Sequence, residues 1–204
     1  MEIEAKFAVP DEVTWLKLQM VDQIAGYALS PGKTKQVHDT FMDTPDRSIL
    51  ASGHVCRRRE ADGQIVMTLK SGQTVEGAVH RREELEITLE RELPIGQWPP
   101  SEIRDRLLSI VGDFMLTPLF DQHQTRIIRW ATRADRVVAE MSVDKVELSL
   151  HGREQSYFEV EFELKEVGTE DDLAVIAAGL HNEWGLKPEP RSKFARALAL
   201  ASEE

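Results

Sequence analysis

The sequence predicts an α+β protein in which helices cover one face of a mostly antiparallel β-sheet. Several stretches alternate apolar and charged residues with the period of two that is typical of strands, and four others space apolar residues as amphipathic helices do. The chain has 204 residues, of which 41% are hydrophobic and 30% are charged. This composition is typical of a globular protein, and we expect residues 1–204 to form a single domain.

Four segments combine helical spacing with residues that start or stop helices. The first is predicted to begin at Asp11, and its predicted apolar face is Val13, Leu16, Met20 and Ile24. The second is predicted to begin after Ser101 and to end at Gly112. The third is predicted to begin at Thr169 and Asp172 and to end at Gly185. The fourth is SKFARALALAS, which follows Pro190. Thr169 and Asp172 have the spacing of a capping box.

The predicted strands share an apolar face that lies opposite a strongly charged one. In the opening MEIEAKF, Glu2, Glu4 and Lys6 alternate with apolar residues. The same alternation runs through QIVMTLKS, HRREELEITLE, DRVVAEMSVDK and YFEVEFELK. The residues alone leave two interpretations open: the charged faces meet water as weak cross-strand ion pairs, or they line a shared site.

Composition excludes several classes of protein. The net charge of −11 argues against a general nucleic-acid-binding protein, and we expect no nucleic-acid partner. No apolar run is long enough to cross a bilayer, the N-terminus lacks the layout of a signal peptide, and Cys56 is the single cysteine. We therefore expect a cytoplasmic protein with no membrane partner.

Several familiar motifs fail on inspection. SPGKT, from Ser30 to Thr34, resembles the end of a phosphate-binding P-loop, but the earlier glycine that this motif needs falls on Tyr27. The segment before it is predicted as helix, so we interpret SPGKT as a turn. The six histidines have no zinc-binding spacing, and there is no serine nucleophile elbow.

Paired carboxylates carry the clearest chemical signal. EIE near the start and EVE near the end each place two carboxylates on one face of a predicted strand. Carboxylate oxygens are ligands that Mg²⁺ and Mn²⁺ prefer. Arginine and lysine on neighbouring strands suit the oxygens of a polyanion, and arginine can fork onto phosphate. Together they predict a site for a metal–polyphosphate complex.

The sequence resembles the CYTH, or triphosphate tunnel metalloenzyme, superfamily. EIEAK matches the ExExK signature of that family. Further elements follow in the family's order: TFMDTPDRSILASG, VCRRRE, TLK, RREELE, QTR, SVDKVEL, YFEVEFELK and EPRSKFARAL. The match extends from Met1 to about Leu198, with two departures. Gln124 stands where many members carry lysine, and Met42 stands where an aromatic residue is usual.

The resemblance implies an eight-stranded antiparallel β-barrel, a tunnel with a charged interior and with helices packed outside. It implies Mg²⁺ or Mn²⁺ as the cofactor, held by carboxylates: Glu2, Glu4, Asp144, Glu159 and Glu161. It implies that triphosphate or polyphosphate is bound by basic residues: Lys6, Arg57, Arg59, Lys70, Arg82, Arg126, Arg191 and Lys193. Further candidates are Glu84, Glu86 and Glu163.

Catalytic roles are expected for four of these residues: Glu2, Glu4, Lys6 and Lys193. We expect Glu4 and Glu161 to hold one metal ion. Glu2 with Glu159 is expected to position the attacking water or to hold a second metal ion. Because opposite charges lie close together in such a site, the carboxylates should stay ionised and the lysines protonated.

The implied function is metal-dependent hydrolysis of inorganic triphosphate (tripolyphosphate) to pyrophosphate and phosphate. Aromatic residues make up 6% of the chain and form no evident clamp for thiamine or adenine. This favours an all-phosphate substrate over a thiamine triphosphatase or a class IV adenylyl cyclase. One alternative is a polyphosphate-binding module with little turnover, the N-terminal part of a longer protein with a C-terminal CHAD domain. Another is a structural barrel without a ligand.

Overall fold

The computed structural model describes residues 1–61, 63–112, 114–150 and 152–202. Its strands, β1 to β11 in chain order, are Glu2–Val9, Gln23–Ile24, Tyr27–Leu29, Lys33–Asp43, His54–Ala61, Gln64–Glu76, Val79–Leu89, Thr117–Arg133, Arg136–Leu150, Arg153–Leu164 and Lys187–Pro188. Its helices, α1 to α5, are Glu12–Met20, Ser48–Ala51, Glu102–Val111, Glu170–Asn182 and Lys193–Ser202, and a 3₁₀ turn spans Ile95–Gln97. The predicted α+β class is confirmed.

Eight long strands close into a ring. Their order around it is β8, β4, β5, β6, β7, β1, β10 and β9, and β9 pairs again with β8. Every pairing in the ring is antiparallel. The short strands β2 and β3 extend the sheet beyond β8, and β11 pairs with β1. The ring confirms the predicted antiparallel barrel.

Apolar side chains on the outer face of the ring pack under the helices in two clusters. The first lies beneath α1 and α4 and includes Phe7, Met141 and Phe162. The second lies beneath α2 and α3 and includes Met67 and Leu69. Because successive side chains of a strand point to opposite faces, this burial turns the charged half of each alternation toward the inside of the ring.

Helix α5 closes one end of the ring's interior. Phe194 of this helix packs against Phe41 and Phe120, with ring centroids 5.3 Å and 5.7 Å away. Phe41 lies two residues beyond Asp39 on β4 and therefore on the same, inward face. This apolar contact fixes α5 so that its first residue, Lys193, reaches the interior.

The predicted helix starts at Asp11, Ser101 and Thr169 and the predicted helix end at Gly112 agree with the structure. Asp11 caps α1 by accepting a hydrogen bond from the backbone N–H of Thr14 at 2.7 Å. Thr169 and Asp172 form the predicted capping box at the start of α4. Gly112 ends α3 with a φ of 57°, a left-handed conformation that glycine adopts without a steric cost.

The predicted apolar face of α1 is wrong. Val13, Leu16 and Met20 are exposed, whereas Trp15 and Leu18 are buried. The helix turns the face that carries Trp15 toward the sheet, where this ring packs against Phe158 with centroids 5.4 Å apart. Because α1 ends at Met20, Ile24 lies in β2 and contributes to the core from there.

The segment before SPGKT is a β2–β3 hairpin and not the helix that the sequence predicted. Ser30, Pro31 and Gly32 of SPGKT join β3 to β4, and Lys33 and Thr34 are the first residues of β4. A Cβ on Gly32 would come within 2.8 Å of Cγ2 of Ile127, so this glycine permits a close approach of the chain to β8. None of the helices in the described part of the chain combines the length and hydropathy that a membrane crossing requires.

Candidate active site

The ring encloses a cavity of about 760 Å³ with charged walls. The basic side chains of its lining are Lys6, Arg57, Arg59, Lys70, Arg82, Arg126, Lys165 and Lys193. The acidic side chains are Glu2, Glu4, Asp39, Glu84, Glu86, Glu140, Glu161 and Glu163. Among the described residues the two sets are equal in number, so their formal charges cancel. The charged strand faces therefore line an internal surface.

Three carboxylates form a cluster at the end of the interior that α5 closes, and of these Glu161 belongs to the cavity lining, whereas Asp144 and Glu159 are fully buried beside it. Asp144 on β9 and Glu159 and Glu161 on β10 are buried, and each offers an oxygen within 4.8 Å of the others. The register of the strands brings them together, because Asp144 pairs with Glu159 and Glu161 lies two residues further on the same face. Neither carboxylate oxygen of Glu159 has a hydrogen-bond partner. Lys193 nevertheless lies at ion-pair distance from Glu159. A buried, all-oxygen set of this kind fits a hard divalent cation.

Two basic side chains neutralise this cluster. The Nζ of Lys193 lies 3.2 Å from Asp144 and 2.9 Å from Glu161, and it also contacts Glu159. Arg126 on β8 forks onto Asp144 at 2.8 and 2.6 Å and donates to Glu161 at 2.9 Å. Burial alone would lower the pKa of Lys193, but the three carboxylates raise it above its ordinary value. Lys193 thus stays charged.

Lys6 and Glu4 extend the cluster toward β1. Lys6 pairs with Glu161 across the β1–β10 register, and its Nζ lies 3.0 Å from Glu161 and 3.6 Å from Glu4. The Lys6 side chain is 1% exposed, and although burial opposes its charge, the two carboxylates raise its pKa above the ordinary value. The EIE and EVE elements therefore lie on neighbouring strands, as expected, but are offset along them, because Glu4 pairs with Glu163 and Glu161 pairs with Lys6.

A second, more exposed group lies around Glu2. Lys70 donates to Glu84 at 2.9 Å and lies 3.4 Å from Glu2, while Arg82 contacts Glu2 and reaches Glu4 at 3.3 Å. Burial and the neighbouring arginines lower the pKa of Lys70 to about 8. Burial raises the pKa of Glu84 to about 7. Lys70 therefore stays mostly protonated at neutral pH, whereas Glu84 departs from the expected ionised state, because lost hydration outweighs its paired charges.

Strand β5 supplies two guanidinium groups. Arg59 forks onto Asp39 with distances of 2.7 and 2.8 Å. Arg57 donates to Oγ1 of Thr68 at 3.1 Å, and its buried Nε has no hydrogen-bond partner. Gln124 donates its amide N–H to Asp39 at 2.7 Å. This part of the wall therefore carries guanidinium groups of the kind that bind phosphate oxygens, although Asp39 occupies the fork of Arg59.

The chain matches the CYTH domain family over residues 1–197. It belongs to this family. An inorganic triphosphatase from Haemophilus influenzae is 24% identical to it over 209 residues, a match that covers 100% of this chain and 56% of the relative. The CYTH domain described here thus spans about half the length of that curated relative.

Solved structures share the fold of this CYTH domain. A candidate adenylyl cyclase from Hippeastrum with a dominant triphosphatase activity superposes with a TM-score of 0.75 at 22% identity, covering 98% of this chain and 96% of that one. A candidate adenylate cyclase from Bacillus halodurans gives a TM-score of 0.63 at 20% identity, covering 96% of both chains. At these identities the likeness establishes the fold.

Three expectations about the CYTH site do not match the geometry. Glu4 was expected to hold a metal ion with Glu161, but it lies outside the group of described carboxylates that could hold one. Arg191 lies outside the cavity lining and forks onto Glu189 at 2.9 and 3.1 Å. Glu2 and Glu159 were expected to act together, but the partner of Glu159 on β1 is Ala8. Ala8 lies six residue steps along the strand from Glu2, a distance of about 20 Å. A joint role of Glu2 and Glu159 is therefore wrong.

Sequence reasoning also missed lining residues of the CYTH cavity, namely Asp39, Glu140 and Lys165. Asp39 shares its strand face with apolar Val37 and Phe41, and this isolated charge is the signal that could have found it. Asp43, from the FMDT element, has a different role. Its carboxylate accepts hydrogen bonds from the first backbone N–H groups of α2, at Ile49 and Leu50, and so holds that helix in place.

Proposed function

We propose that this CYTH domain hydrolyses inorganic triphosphate to pyrophosphate and phosphate and requires Mg²⁺ or Mn²⁺. The observation that carries the proposal is the balanced, interleaved charge of the cavity, in which the cations that could hold phosphate already face carboxylates. A free polyphosphate would be repelled by these carboxylates. A divalent cation on the carboxylates removes that repulsion. The cavity therefore suits a metal–triphosphate complex better than either component alone.

The carboxylate cluster would hold the metal ion. Asp144, Glu159 and Glu161 would supply the oxygens, which Lys193 already contacts. When bound, a divalent cation supplies positive charge that polarises phosphoryl oxygens and offsets the charge of the transition state. The match to a curated inorganic triphosphatase supports the choice of inorganic triphosphate as the substrate.

The basic side chains bind and orient the triphosphate. Arg57, with its unpartnered Nε, and Lys70 face the phosphate chain from β5 and β6. Lys6 and Arg126 lie against Glu161, where they stabilise the charge that develops on the transferred phosphoryl group. Glu4 lies between the inner cluster and the group around Glu2, and we assign it to the orientation of the attacking water.

The aromatic residues of the cavity support an all-phosphate substrate. Phe41 and Phe194 contribute to the lining, but both are largely buried. Phe41 packs its ring against Phe120 at 4.7 Å and against Phe194 at 5.3 Å. Their faces are thus used within the protein, and a nucleobase or thiamine ring would find no stacking surface on them.

The proposal is tested by measuring phosphate release from inorganic triphosphate, ATP and thiamine triphosphate, each with Mg²⁺, Mn²⁺ or EDTA. Triphosphate should give a kcat/KM at least about tenfold above the others, a discrimination of about 1.4 kcal/mol. EDTA should abolish turnover, and the Glu161→Gln variant controls for contaminating phosphatases. Cyclic AMP as the main product from ATP would indicate a cyclase. Tight binding of long polyphosphate without turnover would indicate a binding module.

A further inference from the structure

Asp39 is a buried carboxylate within the phosphate-facing wall of the cavity. Its side chain is 1% exposed and accepts hydrogen bonds from Nε and Nη2 of Arg59, at 2.7 and 2.8 Å. The Nε of Arg57 lies 3.9 Å away. Burial would raise the pKa of Asp39, but Arg57, Arg59 and Arg126 lower it below the ordinary value. Asp39 therefore carries a full negative charge beside the groups that would receive phosphate.

A metal ion in the carboxylate cluster would leave this charge in place. Among the described residues, the group that could hold a metal consists of Asp144, Glu159 and Glu161, and Asp39 is not part of it. The third hydrogen bond to Asp39 comes from the amide of Gln124, at 2.7 Å, which is neutral. The negative charge is thus shared among arginines that also face the cavity.

From this arrangement we propose that Asp39 is a specificity-determining residue that makes the cavity select metal-complexed triphosphate over free polyphosphate. The inference rests on the proposed function and deepens it. Asp39 occupies the fork of Arg59 and reduces the net positive charge near Arg57. Free triphosphate carries its full negative charge, and the arginines that Asp39 offsets attract it too weakly for it to bind. A metal complex carries less negative charge and is repelled less by the same carboxylate.

Gln124 provides a way to change the charge without touching the Asp39–Arg59 fork. Its amide nitrogen already lies at ion-pair distance from Asp39, 2.7 Å. A lysine at this position would place an ammonium group beside Asp39 and neutralise it. Gln124→Lys and Asp39→Asn should therefore have the same effect on anion binding, although only the second removes a partner of Arg59.

The experiment is calorimetric titration of inorganic triphosphate into the protein in EDTA, at two salt concentrations. Wild type should bind weakly. Asp39→Asn and Gln124→Lys should bind at least tenfold more tightly, a gain of about 1.4 kcal/mol, and with a steeper dependence on salt. Asp121→Asn is the matched control, because Asp121 is 52% exposed and pairs with His38 outside the cavity. Its affinity should equal that of wild type.

Gln124→Lys decides the outcome, because it keeps Asp39 and its fork. Tighter binding by Gln124→Lys supports the proposal even when Asp39→Asn fails to fold, which melting curves monitor. Binding of free triphosphate by Gln124→Lys at wild-type strength overturns it and leaves Asp39 as a structural partner of Arg59. Turnover of triphosphate by wild type with Mg²⁺ is measured in parallel. Its absence would contradict the proposed function, independently of the role of Asp39.

Discussion

Replacing Glu161 by glutamine should weaken both stability and catalysis, since this carboxylate contacts three cations. It lies 3.0 Å from Lys6 and 2.9 Å from both Arg126 and Lys193. Breaking a buried ion pair costs about 3–5 kcal/mol. Each cation keeps another carboxylate, Glu4 for Lys6 and Asp144 for the other two. We therefore expect a smaller loss, about 2–3 kcal/mol in the free energy of unfolding.

The same substitution removes a proposed metal ligand. A neutral amide is a poorer ligand for a hard cation, so the metal concentration for half-maximal activity should rise at least about tenfold. The kcat should fall at least about 100-fold, the effect of removing one preorganised charge from a site of this kind. Metal titrations of phosphate release measure both quantities, and urea unfolding measures the stability.

Glu147→Gln is the matched control, because Glu147 lies on β9, pairs with Lys145 at 3.3 Å and is 59% exposed. It should behave as wild type. The pH dependence gives a further check. Lys193, Lys6 and Arg126 overcome the effect of burial and lower the pKa of Glu161 well below its ordinary value. Its contribution to stability is therefore present at neutral pH and lost as the pH falls through that lowered pKa. A Glu161→Gln variant with unchanged metal dependence would refute this account of the cluster.

Further predictions concern charge, metal and ligand binding. Because the pKa of Lys70 is lowered to about 8, its charged form is lost as the pH rises through 8; kcat/KM for triphosphate should fall there, and Lys70→Arg should remove this alkaline limb from the pH–rate profile. Lys193→Met leaves Asp144 and two glutamates without their shared ammonium group. The Lys193→Met substitution should lower the melting temperature of the protein, yet increase its affinity for Mn²⁺ about tenfold in calorimetry. An unchanged affinity would argue that these carboxylates bind no metal. Triphosphate with a divalent metal that does not support turnover should stabilise the fold by about 3–4 kcal/mol at several hundred times Kd. A melting temperature that does not change when both are added would contradict an internal site.

Local patterns predicted much of this fold because they reflect local physics. Period-two alternation identified the strands and the charged face of each one. The capping residues Asp11 and Thr169 marked the starts of two helices correctly. Alternation does not say which strands pair or that the sheet closes, and the closed ring was expected through the family resemblance. The buried face of α1 depends on tertiary contacts: Trp15 packs against the sheet, whereas Val13 and Leu16 are exposed.

The candidate site was predicted least well where depth and register decide the chemistry. Lys70 and Glu84 are paired as expected, but their burial shifts both pKa values toward neutrality, and burial cannot be read from alternation. Glu2 and Glu159 belong to similar motifs, yet the β1–β10 register sets them far apart. Asp39 forms no row of charges with its face neighbours Val37 and Phe41, so the alternation that identified the other charged faces did not identify it.

The central claim is that carboxylates hold a metal and basic side chains hold triphosphate within one cavity. A crystal structure with Mn²⁺ and a non-hydrolysable imidotriphosphate tests it directly, since anomalous scattering locates the manganese. The account predicts an anomalous peak among the oxygens of Asp144, Glu159 and Glu161, with the analogue in the same cavity against Arg57 and Lys6. Manganese bound elsewhere, or an analogue on the outer surface of the ring, would contradict it.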